Sequence, residues 1–458
     1  MDMNAMKGTQ SIAFSESPYL VSAGSVAGKK EGEGPLGKYF DIASEDDLFG
    51  EKTWELAEGT MQKLACKLAL KNAGVQPEEV RYLFGGDLLR QGIATSMGAE
   101  ELQIPVFGLF GACSTSGEAL ALAAMTVAAG YGDLVLAATS SHFGSAEKEF
   151  RFPLGYANQR PLSSTWTVTG SGAFLVGKKK SRVRISGVTI GKIVDYGLKD
   201  SQNMGACMAP AACDTILQNL MDFGRGEKDY DRIITGDLGY VGQSILFDLL
   251  RKKGLDIKEN HMDCGMTIFD QQTQHTNSGG SGCGCAAITL AAYIMPQLIS
   301  GEWKRILFVP TGALMSTVSF NEGESVPGID RNCAGTLLKE ERKMDYINAF
   351  WVGGLICALA QILLDRTKMM PGRVMVSLVV LGCILGFVQI FKPLQEYAGA
   401  GVSVPLLGFG NTLWNGVKEA VDKEGFIGIF LGGFKASAAG ISGALILGTL
   451  HHGYLNQR

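Results

Sequence analysis

Two uncharged apolar runs near the C-terminal end constrain this chain more than anything else in it. Tyr346 to Leu364 carries no charged side chain, and Val374 to Phe391 is a second such run, bounded by Arg373 and Lys392. Runs of this length and composition cross a bilayer as helices, because a backbone in hydrocarbon must satisfy its own hydrogen bonds. The loop between them carries Arg366, Lys368 and Arg373, a weak signal for a cytoplasmic side. Tyr397 to Val417 is uncharged but interrupted by glycines and Pro405, which predicts a discontinuous or re-entrant segment. Gly425 to Leu450 reads as a third span. On it Gly428, Gly432, Ala436, Gly440, Ala444 and Gly448 recur every fourth residue, a small-residue stripe that lets another helix pack closely. Lys435 sits mid-span, where a charge is costly and by default marks an anion contact or an internal ion pair.

The rest of the chain has a different character. Its 458 residues exceed what one core organises, and the mean hydropathy of +0.13 comes mostly from the segment after residue 345. A formal charge of -4 gives no electrostatic case for nucleic acid. The ten cysteines form no disulfide-like framework and read as reduced thiols. Cys264, Cys283 and Cys285 admit metal binding, but buried small hydrophobes are the favoured reading, so no metal is expected. Met1 to Gln10 has no apolar core of the signal-peptide kind.

Between residues 50 and 320, apolar strands alternate with helical stretches, the pattern of an α/β fold with a largely parallel sheet. The parts occur twice. Val80 to Phe84 leads into Gly85-Gly86-Asp87-Leu88, and Arg232 to Thr235 leads into Gly236-Asp237-Leu238. A small-residue helix and a strand follow Cys113, and an Ala-rich helix and a strand follow His275. Two such halves around a pseudo-two-fold axis bring the Cys113 turn to face the His275 to Gly282 loop. The expected domains are 1–185 and 186–343 for the halves, the latter ending in a polar linker from Pro327 to Arg342, and 344–458 for the membrane part.

Cys113 opens a helix after a short strand and a turn of small residues. The helix dipole and unpaired N–H groups there favour a thiolate, as in a nucleophile elbow. The run Phe110-Gly111-Ala112-Cys113-Ser114 resembles the nucleophile turn of thiolases and ketoacyl synthases, and Asn277-Ser278-Gly279 resembles their Asn-bearing oxyanion loop. The resemblance spans most of residues 10 to 320 and implies a duplicated, five-layer αβαβα fold and a homodimer. The chain departs from it at Gly236-Asp237-Leu238-Gly239, where those enzymes carry a histidine. His275 is the candidate substitute. Without a placed base, each missing group costs on the order of 10²–10⁴ in rate. The expected reading is a retired active site, with Cys113, His275 and Asn277 as vestiges.

A narrower family resembles the chain more closely. Thr139 to Phe143, Glu147 to Pro153, Asn158 to Leu162 and Trp166 to Gly172 are similar to the stage V sporulation protein AD family. That resemblance implies a thiolase fold without known catalysis that binds dipicolinic acid, a pyridine dicarboxylate, with calcium, where present, as part of the ligand. The ligand-binding candidates are Cys113, Ser114, Asp133, His142, Arg151, Arg160 and Asn277. His142, Lys148, Arg151 and Arg160 are the available cations. Each also has a plain reading as a surface or structural ion pair, and Asp133 as an anchor for a cation or a turn cap.

Residues 344 to 458 resemble stage V sporulation protein AE, a small multi-pass partner, and Met344-Asp345 resembles the start of a separate protein, as in a gene fusion. This implies a channel component of the inner spore membrane, acting with other membrane proteins of that system; Gly432 and Gly440 belong to its packing stripe, and Lys435 keeps its readings as an anion contact or an internal ion pair. The alternatives are a membrane-tethered acyltransferase or condensing enzyme using Cys113, and a scaffold whose pocket is empty.

Overall fold

The computed structural model describes residues 5–150, 160–329, 335–339, 343–367, 369–429, 431–433, 435 and 438. The chain divides into two compact units, Met1–Glu340 and Glu341–Arg458.

The first unit is a duplication at the level of hydrogen-bonded topology. The first half contributes β1 (Tyr19–Ala27), β2 (Tyr82–Asp87), β3 (Val106–Leu109), β4 (Leu134–Ser141) and β5 (Gly170–Gly177). The second contributes β6 (Val183–Thr189), β7 (Arg232–Thr235), β8 (His261–Asp263), β9 (Arg305–Val309) and β10 (Gly335–Lys339). Strand order is β3-β2-β4-β5-β1 in one half and β8-β7-β9-β10-β6 in the other, the same path taken twice. In both, three parallel strands are followed by two antiparallel ones. The halves join through an antiparallel pairing of β1 with β6.

Local chemistry repeats with the topology. Helix Trp54–Ala73 is capped by Thr53, which accepts from the Leu56 N–H, and ends at Gly74 in the left-handed region. Helix Met204–Phe223 is capped by Asn203 and ends at Gly224 in the same conformation. Each then runs through a short 3₁₀ turn into β2 or β7. Strands β4 and β5 are almost wholly buried, as sheets covered on both faces require. Helix Thr115–Ala128 and the helical run from Cys283 lie in a core shared by strands of both halves. The unit is the thiolase-like, duplicated αβαβα arrangement. Cys283–Ser300 is apolar enough for a membrane span, yet it is mostly buried here, as a core helix.

The stretch read as a linker, Pro327 to Arg342, holds structure. Gly328–Ile329 pairs with Ile193–Val194 and Gly312–Ala313, and β10 sits between β9 and β6, completing the second sheet. Polar and basic neighbours concealed a strand whose buried apolar residues are Leu337 and Leu338.

In the second unit, helix Lys343–Arg366 contains Asn348–Arg366, long and apolar enough to cross a membrane. The next apolar helix is Pro371–Phe387, so the second run stops short of Phe391, and Gln389 turns the chain with a φ of 60°. Phe350, Leu359, Met375, Val376 and Phe387 point outward, a surface suited to lipid. The glycine-interrupted segment is discontinuous: helix Phe391–Ala398, a break at Gly399, a turn at Ala400–Ser403, and helix Leu407–Glu424 beyond Pro405. Ala436, Gly440, Ala444 and Gly448 of the small-residue stripe lie outside the described residues. Of the rest, Gly432 approaches the neighbouring helix so closely that a Cβ there would sit 2.2 Å from the Gly416 carbonyl oxygen. Lys435 is helical and exposed.

Candidate functional site

The site lies where the two halves present equivalent turns to each other. After β3 the chain bends through Ala112, whose φ is 50°, and helix Thr115–Ala128 follows Cys113 and Ser114. Thr115 and Ser114 lock this bend: their hydroxyls donate to the carbonyls of Ala112 and Gly111 at 2.7 Å each. The second half comes in tightly against it. A Cβ on Gly312 would fall 2.6 Å from the Gly111 oxygen, so only glycine fits.

Cys113 Sγ lies 3.6 Å from Ser281 Oγ. Ser281 donates to Asp237 Oδ2 at 2.7 Å, and the Gly282 N–H reaches the same oxygen at 2.9 Å. Thr311 Oγ1 donates to Asp237 Oδ1 at 2.8 Å. The Cys113 thiol is also a hydrogen-bonding neighbour of the Asp237 carboxylate. Asp237 is therefore the hub, buried at the end of β7 in the turn where a condensing enzyme needs its histidine. Burial first, and then the charge of Asp237, hold the Cys113 thiol well above its ordinary value. Burial also raises Asp237, opposed by its donors, with the Gly282 N–H foremost. Both influences keep the proton on the thiol, so Cys113 is not poised as a thiolate.

The wall around Cys113 is apolar: Leu88, Ala146 and Cys283 are buried, with Phe150 against them. The opposite half repeats the acid. Asp87, the last residue of β2, accepts from the Thr95 hydroxyl at 2.8 Å and the Thr95 N–H at 3.0 Å. Glu58 lies near it, accepts from Ser140 Oγ at 3.1 Å, and is pushed up to about 8, mainly by burial. Beneath the Asp237 turn, Asp263 accepts from Thr235 Oγ1 at 2.6 Å and from the N–H groups of Leu238 and Gly239. Thr235 in turn faces His261 Nε2 at 3.0 Å, and burial depresses that imidazole to about 4.

The structure divides the residues expected at the site. Ser114 is buried with its hydroxyl tied to Gly111. His142 is buried and saturated: Nδ1 accepts from the Gly144 N–H at 3.0 Å and Nε2 meets the Asp47 carbonyl at 2.8 Å. That pattern fixes a neutral imidazole, and burial lowers its pKa further, so His142 holds the fold rather than offering a cation. Asp133 stands before β4, at the end of that strand opposite Ser141, which touches the Gly282 loop. Eight residues of strand separate them, some 25 Å at about 3.3 Å each. Asp133 pairs with Lys178 at 2.8 Å on the surface. Asn277 donates to Ser164 Oγ at 3.2 Å and the Pro161 carbonyl at 3.3 Å. Ser281, not Asn277, reaches Cys113. His275 is exposed at the end of a short helix, with no hydrogen-bond partner among the described residues. Lys148 faces Glu55 at 3.5 Å, and Arg151 lies outside the described residues.

Arg160 is placed with purpose. Its guanidinium meets Glu147 at 2.7 Å, donates to the Thr165 carbonyl at 3.3 Å, and lies 4.7 Å from the Trp166 ring centre. Phe143 stacks on Trp166 at 4.2 Å, and Lys30 Nζ stands 4.4 Å from the same indole. Trp166–Thr167 pairs in parallel with Gly280–Ser281, so this cluster braces the strand that carries Ser281. Cys264, Cys283 and Cys285 are buried thiols; Cys283 lies against the Ser140 carbonyl at 2.8 Å and Cys285 against the Gly236 carbonyl at 3.7 Å.

Ser281, Thr311 and the hub role of Asp237 were missed in the sequence. The repeated Gly-Asp-Leu turn was the available signal, since an acid directly after a buried strand must find donors.

Residues 8–334 match the family described as Stage V sporulation protein AD (SpoVAD), and residues 345–452 the family described as SpoVAC/SpoVAEB sporulation membrane protein. Stage V sporulation protein AD of Bacillus subtilis (strain 168) is 40% identical over 324 residues, 71% of this chain and 96% of that protein. Stage V sporulation protein AC of the same organism is 27% identical over 120 residues, 24% of this chain and 80% of that protein. The solved 3-oxoacyl-[acyl-carrier-protein] synthase III from Aquifex aeolicus VF5 aligns with a TM-score of 0.41 and 16% identity, covering 70% of this chain and 100% of its own. Acetamide-bound OleA of Xanthomonas campestris gives 0.44 and 13%, covering 71% and 100%.

Proposed function

We propose, from the premise that this chain belongs to the stage V sporulation protein AD family, that its first unit binds dipicolinic acid without reacting with it. On this reading the second unit takes part in moving that ligand across the inner spore membrane, together with other membrane proteins of the sporulation system. One observation carries the non-enzymatic half of the proposal: Asp237, gripped by Ser281, Gly282 and Thr311, stands where Cys113 needs a base. An acyl-transfer cycle needs a thiolate and an acid-base partner. Here burial first, and then the charge of Asp237, disfavour the thiolate. What is left around Cys113 is an apolar wall of Leu88, Ala146 and Phe150, a suitable face for a flat ring.

The homodimer belongs to the same proposal. Strand β3 is a sheet edge, and its Val106 and Phe107 are 42% and 50% exposed, more than an apolar edge tolerates uncovered. In the membrane unit, the broken segment and Lys435 supply the polar features that an anionic cargo requires.

The enzymatic reading rests on Cys113 standing at a helix start, and one experiment separates the two. The detergent-solubilised full chain is titrated calorimetrically with dipicolinate and, separately, incubated with acyl-CoA and weighed by mass spectrometry. Saturable binding with no mass gain on Cys113 supports the proposal. Acylation of Cys113 with no dipicolinate binding overturns it.

A further inference from the structure

The first unit ends at a basic corner. Strand β10 finishes at Lys339, opposite Val183 at the start of β6, and Leu338 has Arg184 on one side of it and Arg305 on the other. The loop that leads into β6 reads Lys178-Lys179-Lys180-Ser181-Arg182. It is pinned at both ends. The Lys178 N–H donates to the Asp133 carbonyl at 3.2 Å, and the Ser181 hydroxyl donates to the Leu20 carbonyl while accepting from the Val183 N–H at 3.3 Å. A turn fixed in this way holds its middle residues out. Lys179 and Lys180 are exposed and have no hydrogen bond or ion pair among the described residues.

The acids of this corner are engaged elsewhere. Asp133 pairs with Lys178 at 2.8 Å, and Asp231 accepts from the N–H groups of Lys304 and Arg305 at 2.7 and 2.8 Å. In the sequence that follows, Glu340 and Glu341 are answered by Arg342 and Lys343. Connectivity then brings a bilayer close. Three residues separate Lys339 from helix Lys343–Arg366, whose window apolar enough to cross a membrane begins at Asn348. With at most about 3.5 Å per extended residue and about 1.5 Å per helical one, hydrocarbon starts within roughly 20 Å of the corner, and the headgroup layer is nearer still.

Resting on the reading that the second unit crosses a bilayer, we infer that this corner is a docking surface for the headgroups of anionic phospholipids, with Lys179 and Lys180 as its contacting cations. Their ammonium groups meet lipid phosphates that no protein acid competes for. A lysine at an anionic leaflet gains about fivefold in affinity, and the gain fades over a Debye length of about 8 Å in physiological salt. Two lysines would bind a membrane only weakly from solution. Here the covalent tether keeps the surface at high effective concentration, so a weak contact is occupied most of the time.

The test uses the full chain reconstituted into nanodiscs of phosphatidylcholine, and into discs with phosphatidylglycerol mixed in. Exposed amines are acetylated briefly with an N-hydroxysuccinimide ester, and the modified peptides are quantified by mass spectrometry. The expected result is modification of Lys179 and Lys180 slowed by about threefold or more in the anionic discs, with the difference erased by molar salt. The exposed Lys192, beyond the far end of the seven-residue strand β6, should be unaffected, since it stands some 23 Å away at about 3.3 Å per residue. Equal rates in the two discs would overturn the inference and leave the loop to an acidic protein surface. Slowing that survives molar salt, or that extends equally to Lys192, would overturn it too, because neither is the behaviour of a local headgroup contact. The same slowing produced in phosphatidylcholine discs by inorganic phosphate would overturn it in favour of the free anion. Failure of the chain to enter discs of either kind would remove the membrane reading and this inference with it.

Discussion

Replacing Arg160 by methionine should destabilise the first unit far more than removal of a surface charge. The side chains of Arg160 and Glu147 are 9% and 5% exposed and meet at 2.7 Å. Methionine keeps the stem over Phe143 and Trp166 but deprives a buried carboxylate of its guanidinium. Breaking a buried pair from one side costs about 3–5 kcal/mol, and the lost stacking on Trp166 adds about 1 kcal/mol. Glu147→Gln should cost less, about 1–3 kcal/mol, because the guanidinium keeps its contact with the Thr165 carbonyl and the indole. The Arg160→Met/Glu147→Gln pair should then be more stable than Arg160→Met alone, with a coupling of about 2 kcal/mol. The assay is thermal unfolding of the full chain followed by tryptophan fluorescence, since Trp166 lies in the cluster. For a unit of this size the single variant should lower the midpoint by roughly 5–10 °C. By contrast, the exposed pair of Arg90 with Glu149 at 3.7 Å should contribute almost nothing. A drop below about 2 °C for Arg160→Met, or strict additivity in the double variant, would refute the claim that this pair braces the Ser281 strand.

Further outcomes follow from the same geometry. Glu58 is held up to about 8 against an ordinary 4.5, so the folded unit binds an extra proton across that interval. Stability should therefore fall as pH rises from about 4.5 to 8, by on the order of 3–5 kcal/mol at most, and Glu58→Gln should flatten this part of the melting profile. His261 acts in the opposite sense: depressed to about 4, it makes the fold lose stability as pH drops below about 6.5. Asp237→Asn should speed alkylation of Cys113 by iodoacetamide at pH 8 by tenfold or more, since the neighbouring charge that opposes the thiolate is gone; an unchanged rate would mean that burial alone protects the thiol. In the membrane unit, Gly432→Ala should lower the melting midpoint and Gly433→Ala should not. The first Cβ would strike backbone at 2.2 Å, and the second meets only side chains at 3.6 Å and 3.7 Å.

Patterning made the duplicated α/β unit and the membrane boundary legible, because buried strands and uncharged runs leave signals that need no tertiary knowledge. The repeated Gly-Asp-Leu turn carried the symmetry. It did not carry the consequence that Asp237 would gather Ser281 and Thr311 from its own half and Cys113 from the other, since the fold alone brings them to it. Strand β10 was concealed for the opposite reason: its burial comes from β6 and β9, far away in sequence, and its flanks are polar. His142 and Asp133 show the limit of choosing cations and anions by type. One is saturated by backbone groups in the interior, and the other sits at the far end of the strand from the site it was expected to join.

The central claim is that the retired nucleophile turn is the floor of the ligand pocket, and protection of Cys113 tests it most directly. The full chain is alkylated slowly at pH 8 in increasing concentrations of dipicolinate with calcium, and the modified Cys113 peptide is quantified by mass spectrometry. The account predicts saturable protection of Cys113, with a midpoint matching the calorimetric dissociation constant and no protection of the exposed Cys357. Alkylation of Cys113 at an undiminished rate under saturating ligand would contradict it.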